Sequence, residues 1–466
     1  MPGERASSGA NDPPAAHWGI PMIQIDEIRC TYCGGCVSVC PANALTLAET
    51  RLIVSEECID CGDCILACPV GALRFDELSA AEPAAAVRRR YDLVVIGAGP
   101  GGSVAARTAA GAGLSVLLLE KRQEIGSPVR CAEGVGYEGL IAFIDPDPRW
   151  IAAEVTSAEI TAVMEGVQRV RRASGGRGYI LERRVFDRVL AEQAVQAGSE
   201  VRVKTAATGL IIVDGRVCGA KIKQGDLFSP GSAIDVEAAL VIAADGVEAQ
   251  VGNWAGLDVQ LPLRDTMVCA QYLLAGIEID PTCTSYFIDY GVAPGGYAWI
   301  FPKGEGKANV GLGVQADLWQ EGAVGPGAVR EGTALAYLNR FIEARPFLAQ
   351  GSPVTLVTGN VPVAHSPKRI VSDGLMLVGD AARQVDPLTG GGIINAMVAG
   401  RLAAEVAQEA LDTGDSSAGF LGRYEERWHR AAGRKLARNY RLREKFSPAQ
   451  RAHERFVNAF ALAAGG

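Results

Sequence analysis

The stretch YDLVVIGAGPGGSVAARTAAGAGLSVLLLEKR, residues 91–122, decides the fold. It predicts an apolar strand, a glycine turn, an alanine-rich helix and a second apolar strand that ends at Glu120. Gly97 permits the tight turn, Gly99 lets the backbone approach a pyrophosphate, and Gly102 lets the helix pack closely on the strand. Glu120 stands where a carboxylate accepts hydrogen bonds from a ribose diol. The stretch therefore predicts a dinucleotide site in a Rossmann-like α/β domain.

Two later segments end in a similar way, as expected if several strand ends hold one long cofactor. AALVIAADG ends an apolar strand at Asp245 and Gly246, and GLMLVGD ends another at Gly379 and Asp380. Together with ERRVFDRVLAEQAVQAG, these segments resemble the FAD-binding domain of the flavin hydroxylases. The resemblance implies FAD as the cofactor, with Asp380 at its ribityl or ribose end and Arg183 near the flavin.

The second of these segments continues into a glycine-rich turn. Gly390, Gly391 and Gly392 precede a helix that begins near Ile393. Unhindered amides at a helix N-terminus are suited to stabilise the anion of a reduced flavin. A plain helix entry is the alternative interpretation of this turn.

Two cysteine runs precede the dinucleotide motif, CTYCGGCVSVCP and CIDCGDCILACP. In the pattern C-x2-C-x2-C-x3-C-P, three thiolates bind one iron–sulfur cube and the fourth reaches the other cube. Zinc sites also use C-x2-C pairs, but they leave the additional cysteines and the proline unexplained. Residues 21–78 resemble bacterial two-cluster ferredoxins, which implies two 4Fe-4S clusters. One cluster is expected to take Cys30, Cys33, Cys36 and Cys68, and the second Cys58, Cys61, Cys64 and Cys40.

Composition and charge narrow the class of protein further. No run of 18 or more apolar residues is free of charge, so a membrane span is not expected. The four cysteines outside the two runs are scattered, which favours metal thiolates in a reducing cytoplasm over a disulfide framework. Eleven acidic residues stand against four basic ones through residue 80, which favours a donor with a basic docking surface. The chain has no basic patch of the kind that binds nucleic acid.

One stretch between the FAD motifs is rich in aromatic residues: APGGYAWIFPKGEGKANVGLGV. Tyr297, Trp299 and Phe301 alternate, so on a strand their three rings project from one face. KGEGKA predicts a hairpin turn, and Gly311 and Gly313 on the returning strand leave room for a close neighbour. The rings would form a wall over a ligand, or else an ordinary buried sheet face.

The pattern P-x2-Y-x-W-x-F-P from Pro294, together with C-x-E-G from Cys131, resembles the geranylgeranyl reductase family. The resemblance covers residues 91–400, and members of that family are flavoproteins that saturate the double bonds of polyprenyl chains. It implies an oxidoreductase acting on CH-CH groups, with an apolar tunnel across the flavin. Cys131, Tyr297 and Trp299 are then the candidate catalytic residues. For Cys131, a small buried hydrophobe is the plainer alternative.

These features predict an electron relay that ends at an isoprenoid lipid. An external low-potential donor protein, ferredoxin-like or a reductase, would load the clusters, and FAD would collect two electrons for release as a hydride. A quinone reductase similar to electron-transfer flavoprotein dehydrogenases is the first alternative, and a pure electron carrier is the second. An oxygen-using hydroxylase shares the flavin fold but does not suit oxygen-labile clusters.

The C-terminal segment predicts a basic amphipathic helix. Tyr424, Trp428, Ala432, Leu436 and Tyr440 recur every four residues, with many arginines between them. Such a helix could lie on the anionic inner face of the cell membrane, where a lipid substrate resides. Packing of the same stripe against the body of the protein is the alternative.

The expected organisation combines α/β and α+β parts: a two-cluster ferredoxin domain, a Rossmann-like FAD-binding domain of the flavin hydroxylase type with an inserted antiparallel-sheet substrate domain, and C-terminal helices. The expected segments are a flexible tail at 1–20, the ferredoxin domain at 21–78, a linker at 79–90, FAD-binding parts at 91–261 and 359–410 with some substrate-domain strands near 154–172, the substrate sheet at 262–358, and the helical region at 411–466.

Overall fold

The chain folds into two compact units, one from the described residues before position 76 and one from those after position 88. The tail expected at 1–20 and residues 79–88 of the expected linker lie outside the described residues. A computed structural model describes residues 23–27, 29–48, 51–75, 89–224, 233–318 and 332–464.

The small unit is built from two similar halves. Its sheets pair β1 with β4 and β2 with β3, both antiparallel. Each helix follows a glycine in the left-handed region, Gly34 with φ 76° and Gly62 with φ 82°, a conformation that glycine adopts without strain. The elements are β1 Gln24–Ile25, α1 Gly35–Ser38, β2 Leu45–Ala48, β3 Arg51–Val54, α2 Asp63–Leu66 and β4 Leu73–Arg74.

The large unit contains two sheets and ten of the described α-helices. Its strands are β5 Arg90–Ile96, β6 Val116–Leu119, β7 Gly134–Gly136, β8 Ile151–Met164, β9 Val167–Leu181, β10 Glu200–Arg202, β11 Thr205–Val213, β12 Arg216–Gln224, β13 Ile234–Ala243, β14 Thr266–Ala275, β15 Cys283–Asp289, β16 Tyr297–Pro302, β17 Lys307–Gln315, β18 Ser352–Pro362, β19 Val371–Ser372 and β20 Leu375–Leu377. Its helices are α3 Pro100–Gly111, α4 Tyr137–Ile141, α5 Arg183–Gln196, α6 Gln250–Trp254, α7 Ala334–Glu343, α8 Pro346–Ala349, α9 Ile393–Thr413, α10 Ala418–Trp428, α11 Arg434–Lys445 and α12 Glu454–Ala464.

The first sheet is the Rossmann-like core. Strands β10, β6, β5 and β13 are parallel neighbours, and β20 pairs with β13 in the same direction. Strands β12 and β11 extend this sheet as an antiparallel meander. Because β5, β13 and β20 run parallel, the segments that follow them meet at one edge, which is where open α/β sheets bind ligands.

The second sheet has the order β18-β14-β17-β16-β15-β8-β9-β7. Of its described pairings only β8 with β15 is parallel. The antiparallel pairing of β16 with β17 confirms the predicted hairpin. The two sheets and the C-terminal helices confirm the expected fold class for this unit.

One segment differs from the sequence prediction. The stretch expected to be a sheet with turns also contains the helix α7, Ala334–Glu343. The Thr333 side chain caps this helix by accepting a hydrogen bond from the amide of Ala336 at 3.1 Å. Its buried face consists of Ala334, Leu338 and Phe341, which pack against strands of the second sheet. This period of three to four residues is the helical signal that the sequence interpretation missed.

The aromatic stripe of the C-terminal helices packs against the protein itself. Tyr424, Trp428, Leu436 and Tyr440 are all buried, with exposed fractions of 6% or less. The alternative of packing against the body is therefore correct, and these apolar side chains are not available to enter a membrane. Among the described helices, none is both long and apolar enough to cross a bilayer.

Candidate active site

A cavity of about 920 Å³ lies within the large unit and is lined by residues of both sheets. Its volume is near the upper end of the range for sites that enclose small molecules and cofactors. The ends of β5, β13 and β20 line one part, and the aromatic row of β16 lines another. All the cofactor-binding residues expected from the sequence line it except Gly102, and so do Cys131, Tyr297 and Trp299.

The glycine turn after β5 has the geometry that its spacing predicts. Gly97 has φ +103°, and a Cβ atom there would lie 2.3 Å from the carbonyl oxygen of Ala244. A Cβ atom at Gly102 would lie 1.9 Å from the carbonyl oxygen of Gly97, so α3 could not pack on the turn with any other residue. A Cβ atom at Gly99 would meet nothing within 4 Å, and the residue borders the cavity. The open side of this turn is therefore available to a ligand.

Glu120 and Asp245 each bring a carboxyl group to the lining of the cavity. Glu120 is buried, and it accepts hydrogen bonds from the amides of Ala98 at 3.3 Å and Arg122 at 3.0 Å. Asp245, next to Gly246, accepts a hydrogen bond through Oδ2 from the amide of Val251 at 3.0 Å. Its buried Oδ1 has no hydrogen-bond partner, and burial raises the pKa of this carboxyl group. A ligand hydroxyl would satisfy this buried oxygen.

Asp380 and Arg183 lie close enough for their charges to interact. Burial raises the pKa of Asp380 to about 6, and the positive charge of Arg183 opposes that rise. Arg183 itself forms a bidentate ion pair with Asp187, with both N···O distances at 2.7 Å. Gly379, which precedes Asp380, has φ +69°. Asp380 therefore presents a half-buried carboxyl group to the cavity, with a fixed guanidinium nearby.

The turn before α9 is only partly as expected. The amide of Gly390 donates to the carbonyl oxygen of Asp386 at 2.8 Å, and the amide of Gly391 donates to Thr389 Oγ1 at 3.2 Å. The expectation of unhindered amides is wrong for these two residues, because the turn uses them to hold its own shape. Gly392 is the N-cap residue, and α9 begins at Ile393. The first amides of a helix have no intrahelical partner and remain suited to an anion.

Asp386 organises this turn, and sequence analysis missed it. Its Oδ1 accepts a hydrogen bond from the amide of Leu388 at 2.9 Å, and its Oδ2 accepts one from Asn439 Nδ2 at 2.8 Å. Asn439 lies on α11, more than fifty residues away in sequence. Aspartate often accepts a hydrogen bond from the amide two residues further along the chain and so favours turns. Asp386 was in this sense a signal that the sequence does carry.

A chain of hydrogen bonds fixes the loop that carries Cys131. Trp299 Nε1 donates to Gln271 Oε1 at 2.8 Å, and Gln271 Nε2 donates to the carbonyl oxygen of Cys131 at 3.2 Å. The amide of Glu133 donates to Cys131 Sγ at 3.2 Å. Burial raises the pKa of the Cys131 thiol, although the charge of Arg183 opposes the rise. The thiol is therefore protonated at neutral pH.

Glu133 is the second anchor of this loop. Its Oε2 accepts hydrogen bonds from Lys303 Nζ at 2.9 Å and from Asn309 Nδ2 at 2.8 Å, and its Oε1 accepts one from the amide of Arg183 at 2.8 Å. Lys303 also donates to the carbonyl oxygen of Leu181 at 2.6 Å. The sequence offered no signal for this network, because its members are far apart in the chain.

The alternating rings of β16 do lie together. The ring centroids of Tyr297 and Trp299 are 5.8 Å apart, and those of Trp299 and Phe301 are 6.4 Å apart. Tyr286 of β15 lies 5.3 Å from Phe301, and Phe460 of α12 lies 5.0 Å from Tyr297. All five rings line the cavity, while the intervening side chains of β16 join a separate apolar cluster. The rings are thus both a buried sheet face and a wall of the cavity.

The glycines of β17 make room for this wall, as predicted. A Cβ atom at Gly311 would lie 2.5 Å from Cζ2 of Trp299, and one at Gly313 would lie 3.0 Å from Cys269 Sγ. The Tyr297 hydroxyl donates a hydrogen bond to the carbonyl oxygen of Thr389. A hydrogen bond therefore connects β16 directly to the turn before α9.

These features fit FAD. The open glycine turn and the N-terminus of α9 suit its phosphates and flavin, and the unpartnered Oδ1 of Asp245 suits a hydroxyl group. The carboxyl group of Asp380 in the cavity lining provides a second acceptor for hydroxyl groups.

The cysteines of the small unit fit iron–sulfur clusters. Cys30, Cys33, Cys36 and Cys68 border one small pocket, which is the set expected for the first cluster. No three Cys, His, Asp or Glu side chains among the described residues are arranged to hold a metal ion, and the four thiols face a shared space as the ligands of a larger cluster would.

Backbone amides also reach the sulfurs of the small unit. The amide of Ala72 donates to Cys68 Sγ at 3.2 Å, and the amide of Ala44 donates to Cys40 Sγ at 3.3 Å. Such hydrogen bonds tune iron–sulfur clusters. The remaining thiols, expected to bind the second cluster with Cys40, are those of Cys58, Cys61 and Cys64.

The fold and the site define an FAD-dependent oxidoreductase that carries two 4Fe-4S clusters. Models of three families match: "FAD dependent oxidoreductase" at 92–287, "4Fe-4S dicluster domain" at 22–69 and "Geranylgeranyl reductase catalytic domain" at 265–361. The chain belongs to the geranylgeranyl reductase family.

Named relatives support this membership. The digeranylgeranylglycerophospholipid reductase of Methanosarcina acetivorans is 51% identical over 74% of this chain and 81% of that protein. The protein of the same name from Methanosphaerula palustris is 48% identical over 77% of this chain and 87% of that protein. The crystal structure of a geranylgeranyl bacteriochlorophyll reductase-like protein from Thermoplasma acidophilum matches with a TM-score of 0.71 and 41% identity, over 81% of this chain and 96% of that one. A flavin-dependent brominase at 20% identity, with a TM-score of 0.61, shares the fold alone.

Proposed function

We propose that this protein saturates the geranylgeranyl double bonds of digeranylgeranylglycerophospholipids, the lipids in the names of its relatives. The observation that carries the proposal is the cavity itself, which is lined both by an aromatic wall and by the polar strand ends that fit FAD. A quinone or protein acceptor would not require a long apolar wall.

We assign a separate role to each segment of the chain. Residues 21–78 receive electrons, 91–261 and 359–410 hold FAD, and 262–358 provide the wall for the lipid. FAD, when bound, collects single electrons and supplies a hydride. The residues that would contact it are Gly97, Gly99, Glu120, Arg183, Asp245, Gly246, Gly379, Asp380, Gly392 and Ile393. Gly102, Gly390 and Gly391 would shape the turns beside it.

The aromatic wall positions the isoprenoid chain and excludes water. An isolated trisubstituted alkene has no carbonyl group to polarise, so positioning and a dry pocket must lower the barrier. Trp299 and Phe301 are 6% exposed, and Tyr286 is 9% exposed. Tyr297 and Trp299 hold their ring orientations through hydrogen bonds to Thr389 and Gln271. A fixed apolar surface of this kind suits a flexible chain that slides past one reacting position.

Cys131 is the proposed proton donor. Its thiol borders the cavity and holds its proton at neutral pH, because burial raises its pKa. The hydrogen bond from Gln271 to the Cys131 carbonyl oxygen fixes the backbone that carries the thiol. We expect Cys131→Ala to lower kcat by about a hundredfold or more with FAD content unchanged, as is usual for loss of a general acid. Cys218→Ala is the matched control, because Cys218 lies outside the cavity lining.

We also propose contact with the anionic inner face of the cell membrane through β9, with the enzyme on the cytoplasmic side. Val167 and Val170 are exposed by 57% and 52%, and the side chains of Arg169 and Arg171 beside them are exposed as well. Later residues of the same strand line the cavity. Each arginine near an anionic surface contributes about 1 kcal/mol, so vesicle binding should fall in Arg169→Gln and should depend on salt.

The electron donor is proposed to be a low-potential protein with a basic docking surface, because the first eighty residues are strongly acidic. A ferredoxin-like carrier or a reductase would meet this requirement. The rate of cluster reduction should fall as ionic strength rises, since salt screens such encounters. An unchanged rate would count against this kind of donor.

One anaerobic experiment tests the main proposal. Dithionite-reduced protein is mixed with a digeranylgeranylglycerophospholipid, with a short-chain quinone, or with buffer, while flavin absorbance and lipid mass are followed. Flavin reoxidation with a lipid mass gain of two hydrogens per double bond is expected. Reoxidation by quinone alone, with no change in lipid mass, would favour a quinone reductase.

A further inference from the structure

Three basic side chains from the C-terminal helical region line the cavity beside the aromatic wall. Lys435 and Arg443 belong to α11, and Arg451 follows it in the chain. Arg443 and Arg451 are buried, with exposed fractions of 4% and 6%, whereas Lys435 is exposed. Neither the proposed chemistry nor the expected FAD contacts use any of these three side chains.

Arg443 is already paired and held in place. Its Nη1 lies 3.4 Å from Asp265 Oδ1, and its Nη2 donates to Gln315 Oε1 at 3.0 Å. Nη2 also donates to the carbonyl oxygen of Arg264 at 3.2 Å. Arg443 is therefore a fixed positive charge, with one carboxylate partner, in the wall of the cavity.

Arg451 is buried without such a partner. Its Nη1 donates to the carbonyl oxygen of Gly295, while its buried Nε has no hydrogen-bond partner. Asp317 and Asp265 act on it only from beyond ion-pair distance, and no carboxylate of the described residues forms an ion pair with it. Burial and the charge of Arg443 lower the pKa of Arg451 to about 9, so the guanidinium is still charged at neutral pH.

A buried charge without a counter-ion is costly, and such groups are usually paired. The guanidinium group is also the side chain best suited to bind phosphate, because its N–H groups form parallel, charge-assisted hydrogen bonds. Two buried guanidinium groups that interact with each other, with a lysine elsewhere in the lining of the same cavity, thus have the composition of an anion site.

The position of this wall separates it from the glycine turn. Gly295 lies just before β16, and Gln315 ends β17, so the arginines bind to strands of the second sheet. Gly97 and Gly102 belong to the turn after β5 of the first sheet. The arginine wall is therefore adjacent to Tyr297 and the apolar part of the cavity.

We infer that Arg451, with Arg443 and Lys435, binds the phosphate of the lipid substrate's head group. This inference rests on the proposed function, and it adds the anchor that holds the head group while the apolar chain lies along the aromatic wall. A phosphate in the cavity would give the Arg451 guanidinium the anionic partner that no carboxylate of the described residues provides, and the buried arginines would select phosphorylated lipids over neutral ones.

The test compares two lipids that differ only in charge: a digeranylgeranylglycerol phosphate and the uncharged digeranylgeranylglycerol. Loss of a charge-assisted hydrogen bond costs about 1.5–3 kcal/mol, so Arg451→Gln should lower kcat/KM for the phosphorylated lipid by about tenfold or more. The neutral lipid should change less than about twofold, and Arg451→Lys should recover part of the loss. Equal losses for both lipids, or loss of bound FAD, would overturn the inference.

If Arg451→Gln does not fold, Lys435→Gln provides a second variant for the same comparison of the two lipids. Lys435 is exposed, so its replacement should not disturb folding, and we expect a two- to threefold loss for the phosphorylated lipid alone, in line with about 0.5 kcal/mol for an exposed charge pair. Arg438→Gln is the matched control, because Arg438 is exposed on the same helix and does not line the cavity. Identical behaviour of Lys435→Gln and Arg438→Gln would contradict the assignment.

A binding measurement separates this inference from the proposed function. If the wild-type holoenzyme reduces neither lipid, the proposed function fails, and inorganic phosphate then serves as the probe. Thermal stabilisation of the wild type by phosphate, reduced in Arg451→Gln and Lys435→Gln but retained in Arg438→Gln, would support the anion site. Equal stabilisation of all four proteins, or none in the wild type, would overturn it.

Discussion

Glu133 and Lys303 form an ion pair, with 2.9 Å between Oε2 and Nζ, and both side chains are almost fully buried, at 6% and 4% exposure. Glu133 has φ +74°, a left-handed conformation that is strained for a residue with a side chain. The ion pair and the hydrogen bond from Asn309 hold it there. The Cys131 loop therefore depends on a charge pair that connects it to the hairpin after β16.

Removing one partner of this pair should be strongly destabilising. Lys303→Met leaves the Glu133 carboxylate buried without its counter-ion, and we expect the free energy of unfolding to fall by about 3 kcal/mol. Urea unfolding of the anaerobic holoenzyme measures the change. Lys307→Met is the control, because Lys307 pairs with the exposed Glu305 in the same hairpin and should change stability by less than about 0.5 kcal/mol. Equal stability of the two variants would contradict the role of the buried pair.

Gly102→Ala should abolish FAD binding. The added methyl group would lie 1.9 Å from the carbonyl oxygen of Gly97, so α3 and the glycine turn must separate. The matched control is Gly111→Ala at the end of the same helix, where a methyl group meets nothing within 4 Å. The control should retain FAD and gain up to about 1 kcal/mol of helix stability. Flavin absorbance per protein after gel filtration provides the measurement, and full flavin content in Gly102→Ala would refute the prediction.

The parts of the site that depend on local spacing could be predicted from the sequence. The positions of Gly97, Gly99 and Gly102 follow from one turn, and the row of rings on β16 follows from the period of a strand. Both could be predicted because a turn or a strand fixes them with few long-range contacts.

The residues that sequence analysis missed act through tertiary contacts. Gln271 connects Trp299 to Cys131 across 140 positions of the chain, and Lys303 meets Glu133 across 170. Arg451 is distinguished by its burial, which lowers the pKa of its guanidinium group. The local sequence around it does not reveal that burial. The occupied amides of Gly390 and Gly391 likewise depend on the folded turn before α9.

Asp380 should give the FAD-free protein a specific pH dependence. Burial raises its pKa from an ordinary 3.8 to about 6, so the folded chain holds this proton more tightly than the unfolded chain does. Stability is therefore lost as pH rises from about 4 to about 6, by an amount near 3 kcal/mol. Asp380→Asn removes this loss, so the variant should be more stable than the wild type at pH 7 and by much less at pH 4.5. A stability difference that does not change with pH, in urea unfolding followed by tryptophan fluorescence, would argue against it.

Cluster assignment in the small unit can be tested by counting iron. Cys68 borders the same pocket as Cys30, although it belongs to the other cysteine run. Cys30→Ala and Cys68→Ala should therefore each remove the same cluster, and the double variant should lose no more than half of the iron. Cys58→Ala should remove the other cluster, so Cys58→Ala with Cys68→Ala should lose nearly all of it.

Iron content and the electron paramagnetic resonance of dithionite-reduced protein provide the two readouts, and Cys283→Ala, outside both runs, is the control that should lose nothing. The fourth cysteine of each run is expected to bind the other cube. The two double variants therefore give opposite iron losses under crossed and uncrossed ligation. If the Cys30→Ala with Cys68→Ala variant lost all of its iron while Cys58→Ala with Cys68→Ala kept half, each run would bind its own cluster and the crossed assignment would be wrong.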